Sequence, residues 1–470
     1  MFEQRDRVGG VWNLSGTERS RSIPLPQTNP RYGAKPAYGG TAMTGHQDES
    51  YSSQESLEFE SPLYDYLETN IPKQLMAYSD QPFPEDAPLF PRHQTVLEYL
   101  EDYAKDVHHL IHFNTQVQDV RLDESASQNH ETWQVRTKKI DSKETGAGVY
   151  DAVVVANGHY TVPYVPDIEG MTQWNQAYPE RVIHSKAYRR PEDFKELKVV
   201  VVGNSASGLD IAAQVGKHSK HPLLLSSRSI SAFGPAAPAP WRQDVDELVE
   251  FLPPAHNKRA LRFRSGRVEE KVDVVIFATG YFYSFPFLSS LDPPIITDGF
   301  RIKDIYQHMF HITHPGLVFP VVNLKVIPFP LAQNQAAVIA RIWSGRLSLP
   351  SEAQMRGWES KNIEKKGNGK YFHVQKFPED AAQINELYRW ALSAKMAPHL
   401  ENGGKGKLGT MWDSRQVWIR SQFPDIKNAY GQNGEDKYRI RSIEELGFDY
   451  AKWRQGATTT DMEIFTEAKC

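Results

Sequence analysis

The stretch that most restricts the fold runs from Val199 to Gly208, V-V-V-V-G-N-S-A-S-G, with a helix-like run from Leu209 to Val215 behind it. A continuous apolar run that ends in a glycine-spaced turn and opens into a helix is the phosphate-binding start of a dinucleotide-binding βαβ unit. Gly203 permits the tight turn out of the strand, and Gly208 lets the helix pack closely against it. Ser205 stands where the second glycine usually sits and is small enough for backbone to approach a pyrophosphate. Ser207 lies in the same turn, and the helix N-terminus would stabilise the anion's charge. The plainer alternative is a glycine-containing loop of any α/β protein, but here the strand before the turn and the helix after it both fit.

A second strand is expected at Pro222 to Leu225, and Arg228 sits at its end. An acid there selects NAD, whereas an arginine accommodates a 2′-phosphate. The segment reads S-S-R-S and carries no acid, so Arg228 points to NADP(H).

The 470 residues suffice for two or three domains. A net charge of -4 and the lack of a long basic patch give no reason to expect nucleic acid or an anionic membrane as partner. The one cysteine, Cys470, is the last residue. It excludes an intramolecular disulfide, a thiolate metal site and a redox-active cysteine pair, and hence a disulfide reductase. The start, M-F-E-Q-R-D-R, has no signal-peptide core, and the most apolar stretch, Leu317 to Ala332, is broken by Asn323, Lys325 and three prolines. The expectation is a soluble, cytoplasmic protein, in which the Asn13-Leu14-Ser15 sequon is chance.

Phe2-Glu3 reads as the tail of a strand, with Glu3 where an acid accepts hydrogen bonds from a ribose hydroxyl. Gly9 and Gly10 would let backbone approach a flat cofactor. The strand, glycine loop and helix that should precede such an acid are absent from the sequence. Ser15 to Ser56 reads as loop. A short turn is expected to stop at Asn70 ahead of Pro72, and a helix at Thr95 to Val107 with Val96, Leu97, Leu100 and Tyr103 on one face. An antiparallel excursion follows (Val117 to Leu122, Trp133 to Lys138, polar turn Asp123 to Glu131), then an apolar strand from Tyr150 to Ala156. That strand delivers A-N-G-H-Y, and Val272 to Phe277 delivers A-T-G-Y, suggesting paired crossings between two nucleotide-binding domains. Leu317 to Ile342 reads as the return, ending on a helix at Gln333 to Trp343. The sequence from Ser351 onward reads as peripheral helices and a frayed end.

Together these pieces resemble the flavin-containing monooxygenases, from Phe2 to about Pro350. G-G-V-W at Gly9 to Trp12 resembles the family's flavin-domain G-G-x-W, L-E-T-N-I-P-K at Leu67 to Lys73 its active-site asparagine segment, and D-V-V-I-F-A-T-G-Y at Asp273 to Tyr281 its A-T-G-Y strand. The place of the family fingerprint, F-x-G-x-x-x-H-x-x-x-Y/F, is filled by Tyr178 to Tyr188; His184 and Tyr188 keep it, while Tyr178 replaces the phenylalanine and Glu180 the glycine. A non-glycine residue at Glu180 resists positive φ.

The resemblance implies an α/β fold of two Rossmann-like domains, the NADPH domain (164–282) inserted into an N-terminally truncated FAD domain (1–163 and 283–390), with peripheral helices at 391–470. It implies FAD and NADPH as cofactors and a small-molecule substrate with O2, and leaves a homodimer open. NADPH would reduce FAD, the reduced flavin would form a C4a-hydroperoxide, and a soft nitrogen or sulfur nucleophile would take the distal oxygen. Asn70 would donate hydrogen bonds near the flavin as the catalytic side chain; its alternative is a cap or turn residue. Glu3, Gly9, Gly10, Trp12, Thr279, Gly280 and Gln335 join Gly203, Ser205, Ser207, Gly208 and Arg228 as candidate cofactor-binding residues; no metal site is expected. His184 reads as a linker with no acid or base task. Two readings compete: a Baeyer-Villiger monooxygenase, against which Tyr188 argues, and an impaired NADPH-binding fragment or incomplete gene, since Met1 falls in mid-motif.

Overall fold

A computed structural model describes residues 1–16, 23–33, 59–123, 131–142, 144–229, 238–254 and 258–457. Most of the Ser15 to Ser56 loop, the polar turn after Asp123, the Pro/Ala-rich connection before Pro238 and Cys470 lie outside the described residues.

Phe2 makes a parallel bridge to His112. The segment around Asn70 does not end a helical turn. Helix α1 (Lys73–Met76) begins after it, with Pro72 as N-cap, because proline's fixed φ suits a helix start rather than an interior. The pattern expected at Thr95 to Val107 is α2 (His93–Tyr103), continued by a 3-10 turn at Lys105–Leu110. Val96 and Tyr99 are its buried residues, and Tyr99 stacks on Phe83 with centroids 4.0 Å apart.

Strands β1 (Thr115–Leu122), β2 (Trp133–Lys139) and β3 (Thr145–Tyr150) form the antiparallel excursion. The single strand expected at Tyr150 to Ala156 is divided: Tyr150 ends β3, and β4 (Val153–Val154) belongs to another sheet. The T-G-A-G-V-Y of β3 is exposed over most of its length, so it carries no apolar alternation to read.

The chain then crosses through β5 (Val162–Pro163) and α3 (Met171–Ala177). It builds β6 (Val182–His184), β7 (Val199–Val202), α4 (Ala206–Val215), β8 (Leu223–Ser226) and β9 (Arg242–Val245). A small antiparallel sheet of β10 (Leu248–Phe251), β11 (Leu261–Phe263) and β12 (Val268–Glu269) precedes β13 (Val274–Phe277). The main sheet runs β6-β13-β7-β8-β9, parallel throughout. Its apolar runs are continuous because both faces are covered. Val199 and Val201 pack on Ile211 and Val215 of α4. Val200, Leu224, Val275 and Phe277 face the opposite way, onto Trp174, Phe251 and Phe263, as period-2 alternation requires. Returning, β14 (Tyr281–Phe282) pairs antiparallel with β5, so the two crossings lie side by side.

The second sheet is β15-β16-β17-β4, made of Ile305–Tyr306, Phe310–His311, Leu317–Val318 and β4; only β17 and β4 are parallel. Helix α5 (Pro328–Trp343) starts five residues before the expected Gln333, its prolines confined to the first turn. It packs with α7 (Glu379–Leu392), and α6 (Glu352–Lys366) carries a Ser351/Gln354 capping box. Helices α8 (Ser414–Ser421) and α9 (Phe423–Gln432) are not peripheral in their packing: Trp412, Trp418, Ile426 and Tyr430 are buried in the same core as Leu75, Phe310 and Val338. No helix among the described residues is long and apolar enough to cross a membrane.

Candidate functional site

The turn at the end of β7 is built as the sequence predicts. Gly203 has φ +113, and a Cβ there would stand 2.5 Å from the Ala278 carbonyl oxygen; one on Gly208 would stand 1.9 Å from the Gly203 oxygen. Both glycines are therefore demanded by contact between the turn, α4 and the A-T-G-Y strand. Ser205 is the N-cap of α4, in extended conformation, and its side chain caps nothing. The first intrahelical bond runs from Leu209 N–H to the Ser205 oxygen, so the N–H groups ahead of it stay open to an anion. Ser205 and Ser207 are both exposed at this end. The Gly203 N–H donates to the Ser226 oxygen at 2.9 Å, and Asn204 Nδ2 to the Ser229 oxygen at 2.6 Å. These bonds tie the glycine turn to the end of β8, where Arg228 stands exposed and ion-paired to Glu247. That partner comes from the β9–β10 connection, which no local pattern announces.

His184 ends β6, with Nδ1 accepting from the Lys186 N–H at 3.1 Å and Nε2 placed 3.0 Å from the Gly280 oxygen. The Nδ1 acceptor role leaves the proton on Nε2, donated to Gly280. Burial holds the ring down at about 3, with the Gly280 bond opposing and Lys186 adding to the shift, so it is neutral at physiological pH. It serves as a linker between the fingerprint and the A-T-G-Y turn. Thr279 donates its hydroxyl to the Tyr164 oxygen, and Gly280 (φ +92) accepts from the Tyr164 N–H at 2.9 Å. Glu180, where the fingerprint glycine is replaced, sits at φ +61: the backbone keeps the conformation and a side chain bears it.

The segment from Ser61 to Lys73 joins the two halves. Ser61 Oγ donates to the Val11 oxygen in the G-G-V-W turn at 2.5 Å. Tyr64 donates to Asp210 of α4, which also accepts from Gln214 at 3.0 Å. Burial pushes Asp210 up, with the Tyr64 bond working against it. Arg189 ion-pairs with Asp65 and donates to the Ser15 oxygen at 2.8 Å. Thr69 N–H donates to the Pro91 oxygen at 2.9 Å, and its hydroxyl to the Ile71 oxygen at 2.9 Å. From α9, Lys427 donates to the Thr69 oxygen at 2.8 Å, and beyond it Lys437 and Tyr438 hold Glu68. Lys73 donates to the carbonyls of Pro84, Glu85 and Ala87. At the tip of this pinned segment Asn70 is exposed, its amide without a partner among the described residues. It caps no helix, since Pro72 holds that place.

Gly9 (φ +102) and Gly10 (φ +48) turn the chain into the short helix Gly10–Trp12, and a Cβ on Gly9 would strike Leu97 at 2.4 Å. Trp12 packs on the Met76, Phe83, Val96 and Tyr99 cluster. Glu3 Oε1 accepts from the Arg5 N–H at 2.9 Å. Gln335 is fully buried, accepting from the Val321 N–H at 2.8 Å and reaching Asn323 at 3.4 Å; it steadies the 321–323 turn, where Val321 takes φ +56, and faces no open space. Among the described residues no group of three or more His, Cys, Asp or Glu could hold a metal.

The residues present fit NADPH: an open helix N-terminus, two glycines forced by close approach and an arginine at the end of the second strand. For FAD the fit is partial. Glu3 and the Gly9–Trp12 turn match the expected ribose and ring ends. The Val153 and Val155 N–H groups donate to the Gly316 and Val318 oxygens at 2.8 Å, so the N–H of Val154 faces away; Val154 is 49% exposed. Phe2 likewise pairs through Met1 and Glu3 with His112 on one side only. Among the described residues no strand covers either edge, and no second strand–glycine turn–α-helix unit supplies a pyrophosphate loop.

A family model described as flavin-binding monooxygenase-like matches residues 51–233 and 255–391. Flavin-containing monooxygenase FMO GS-OX-like 4 of Arabidopsis thaliana is 34% identical over 370 residues, covering 76% of this chain and 73% of that protein. The thiol-specific monooxygenase of Saccharomyces cerevisiae is 31% identical over 375 residues, covering 76% and 79%. Among solved structures, S-allyl-L-cysteine S-oxygenase from Allium sativum superposes with a TM-score of 0.70 at 26% identity, covering 98% of this chain and 92% of that one. The chain belongs to the flavin-binding monooxygenase-like family, whose enzymes use FAD and NADPH, and it is a monooxygenase by that membership.

Proposed function

We propose that the chain couples oxidation of NADPH to oxygenation of a soft sulfur or nitrogen nucleophile in a small molecule. For a thioether the balance is one O2, one NADPH and one proton in, and a sulfoxide, NADP+ and one water out. The observation that carries this reading is Asn70, whose amide has no partner among the described residues, on a segment held on one side by the bonds of Thr69 to Pro91 and Lys427 and on the other by the Lys73 N–H on the Leu89 oxygen. With the backbone held, only the side-chain torsions of Asn70 are left to order when it engages a ligand. Sulfur is favoured by the names of two relatives, a thiol-specific monooxygenase and an S-oxygenase.

When bound, FAD and NADPH supply the reductant and the oxygen activation. The chain's own residues position them. The α4 N-terminus and Arg228 would hold the nucleotide phosphates, and Asn70 would donate into the space between the halves. Trp12 and Ile71, packed on the Phe83–Tyr99–Phe329 cluster, form an adjoining apolar wall that excludes water. On this reading 164–282 is an NADPH domain inserted between 1–163 and 283–390, and the 391–470 region clamps the Asn70 segment through Lys427. The test supplies excess FAD and NADPH with a thioether or, separately, a cyclic ketone, and follows products by mass spectrometry. Sulfoxide and no lactone is expected; lactone alone would turn the assignment to the Baeyer-Villiger reaction. Asn70→Ala is expected to keep NADPH oxidation and lose oxygenated product, and an unchanged product yield would remove Asn70 from the mechanism.

A further inference from the structure

The end of β8 carries more positive charge than the sequence assigned to it. Arg228 reaches Glu247, and the same carboxylate takes Arg264 from the turn after β11, through Nε at 2.9 Å and through Nη2. Glu247 is only 16% exposed, while the two arginines are 74% and 68% exposed. One carboxylate thus joins two exposed guanidiniums beside the glycine turn.

The joint is held by backbone as well. Arg264 N–H donates to the Glu247 oxygen at 2.8 Å. Ser226 Oγ donates to the Asp246 oxygen at 2.8 Å and accepts from the Leu248 N–H at 3.0 Å. Asp246, the other acid here, takes the N–H and the hydroxyl of Ser265. The glycine turn, the end of β8 and the turn after β11 are therefore one hydrogen-bonded platform. A third cation, Lys370, stands near enough that its ammonium, already disfavoured by burial, is pushed further down by Arg228.

Ion pairs to arginines this exposed contribute little to stability, so their fixed geometry calls for another use. A dinucleotide laid over Gly203 places its adenosine ribose at the end of the second strand. A 2′-phosphate there, near −2 in charge, is best met by guanidiniums presented in fixed geometry. We propose that Arg264 is the second arginine of the NADPH 2′-phosphate site, presented beside Arg228 by their shared partner Glu247. The proposal rests on Arg228 being the 2′-phosphate residue.

The experiment measures binding of 2′,5′-ADP and of 5′-ADP to the full chain by titration calorimetry, without turnover, for the parent, Arg228→Ala, Arg264→Ala and Arg264→Lys, with melting temperatures as the folding check. Arg264→Ala is expected to weaken 2′,5′-ADP about tenfold or more, the loss of one charge-assisted contact, and to leave 5′-ADP unchanged; Arg264→Lys should recover part. Loss on Arg228→Ala with none on Arg264→Ala overturns this proposal and keeps Arg228. No loss on either overturns the reading of Arg228 and this proposal with it. Equal loss of both ligands on Arg264→Ala also overturns it, since the phosphate would not be what Arg264 reads.

Discussion

At the end of β7 the chain turns through Gly203 inside a sheet covered on both faces, whereas at Phe2 and Val154 two parallel edges stand without neighbours among the described residues. The first region has Val199, Val200 and Val201 at 0% exposure. The second exposes a valine in a strand type that is ordinarily buried. Family membership alone would treat the two halves as equivalent. Their packing separates them: the Gly203 turn ends a sheet covered on both faces, whereas among the described residues the Glu3 and G-G-V-W side carries no second strand–glycine turn–α-helix unit.

The glycine turns give the largest contrast. Gly208→Ala would drive a methyl to 1.9 Å from a carbonyl oxygen, and is expected to cost at least about 3 kcal/mol and to abolish nucleotide binding. Gly10→Ala meets nothing within 4 Å and pays only for its positive φ, about 1–2 kcal/mol. Urea denaturation of both variants with NADPH titration checks this; equal losses would erase the distinction.

Acid should also separate the halves. On the flavin side, burial holds His159 and His311 down at about 4 and His308 at about 3, and lowers His373 as well; on the NADPH side His184 is the matching case, at about 3. Each is neutral when folded and takes up a proton on unfolding below its ordinary value near 6.5. Stability is therefore complete above that pH and falls as pH drops from about 6.5 toward 3, by up to about 1.4 kcal/mol per pH unit for each histidine. Hydrogen exchange at pH 7 and 5, corrected for intrinsic rates, should show the 305–320 strands losing protection before β7 and β13. Simultaneous loss would contradict the contrast.

Smaller effects follow from single side chains. Val201→Thr buries an unpartnered hydroxyl and is expected to cost about 1–3 kcal/mol. Val154→Thr, on the bare edge, should stay within about 0.5 kcal/mol. Glu180→Gly relieves a side chain at φ +61 and should stabilise by about 1 kcal/mol, read as a rise in Tm; a fall would mean that the Glu180 side chain makes a compensating contact.

What the sequence made legible was local. Continuous valines, the spacing of Gly203 and Gly208 and the fingerprint around His184 each act through near neighbours, and the parallel sheet followed from them. The misses were long-range or featureless. Strand β3, rich in glycine and exposed, has no alternation to read. The burial of Trp418 and Tyr430 depends on partners such as Phe90, distant in sequence. Glu247 and Arg264 reach Arg228 only once β8, β10 and β11 are assembled. Gln335, expected among the cofactor ligands, takes partners in Val321 and Asn323 that no local pattern names. Asn70 was legible as a residue type in a motif, but its freedom from capping became visible only when α1 was seen to start beyond it.

The most direct test is cofactor retention by the purified chain. After incubation with excess FAD and exhaustive dialysis, the visible spectrum gives flavin per protein, while calorimetry on the same sample gives the Kd for NADPH. The account predicts NADPH binding with flavin well below one per chain; one firmly held yellow flavin per chain would contradict it.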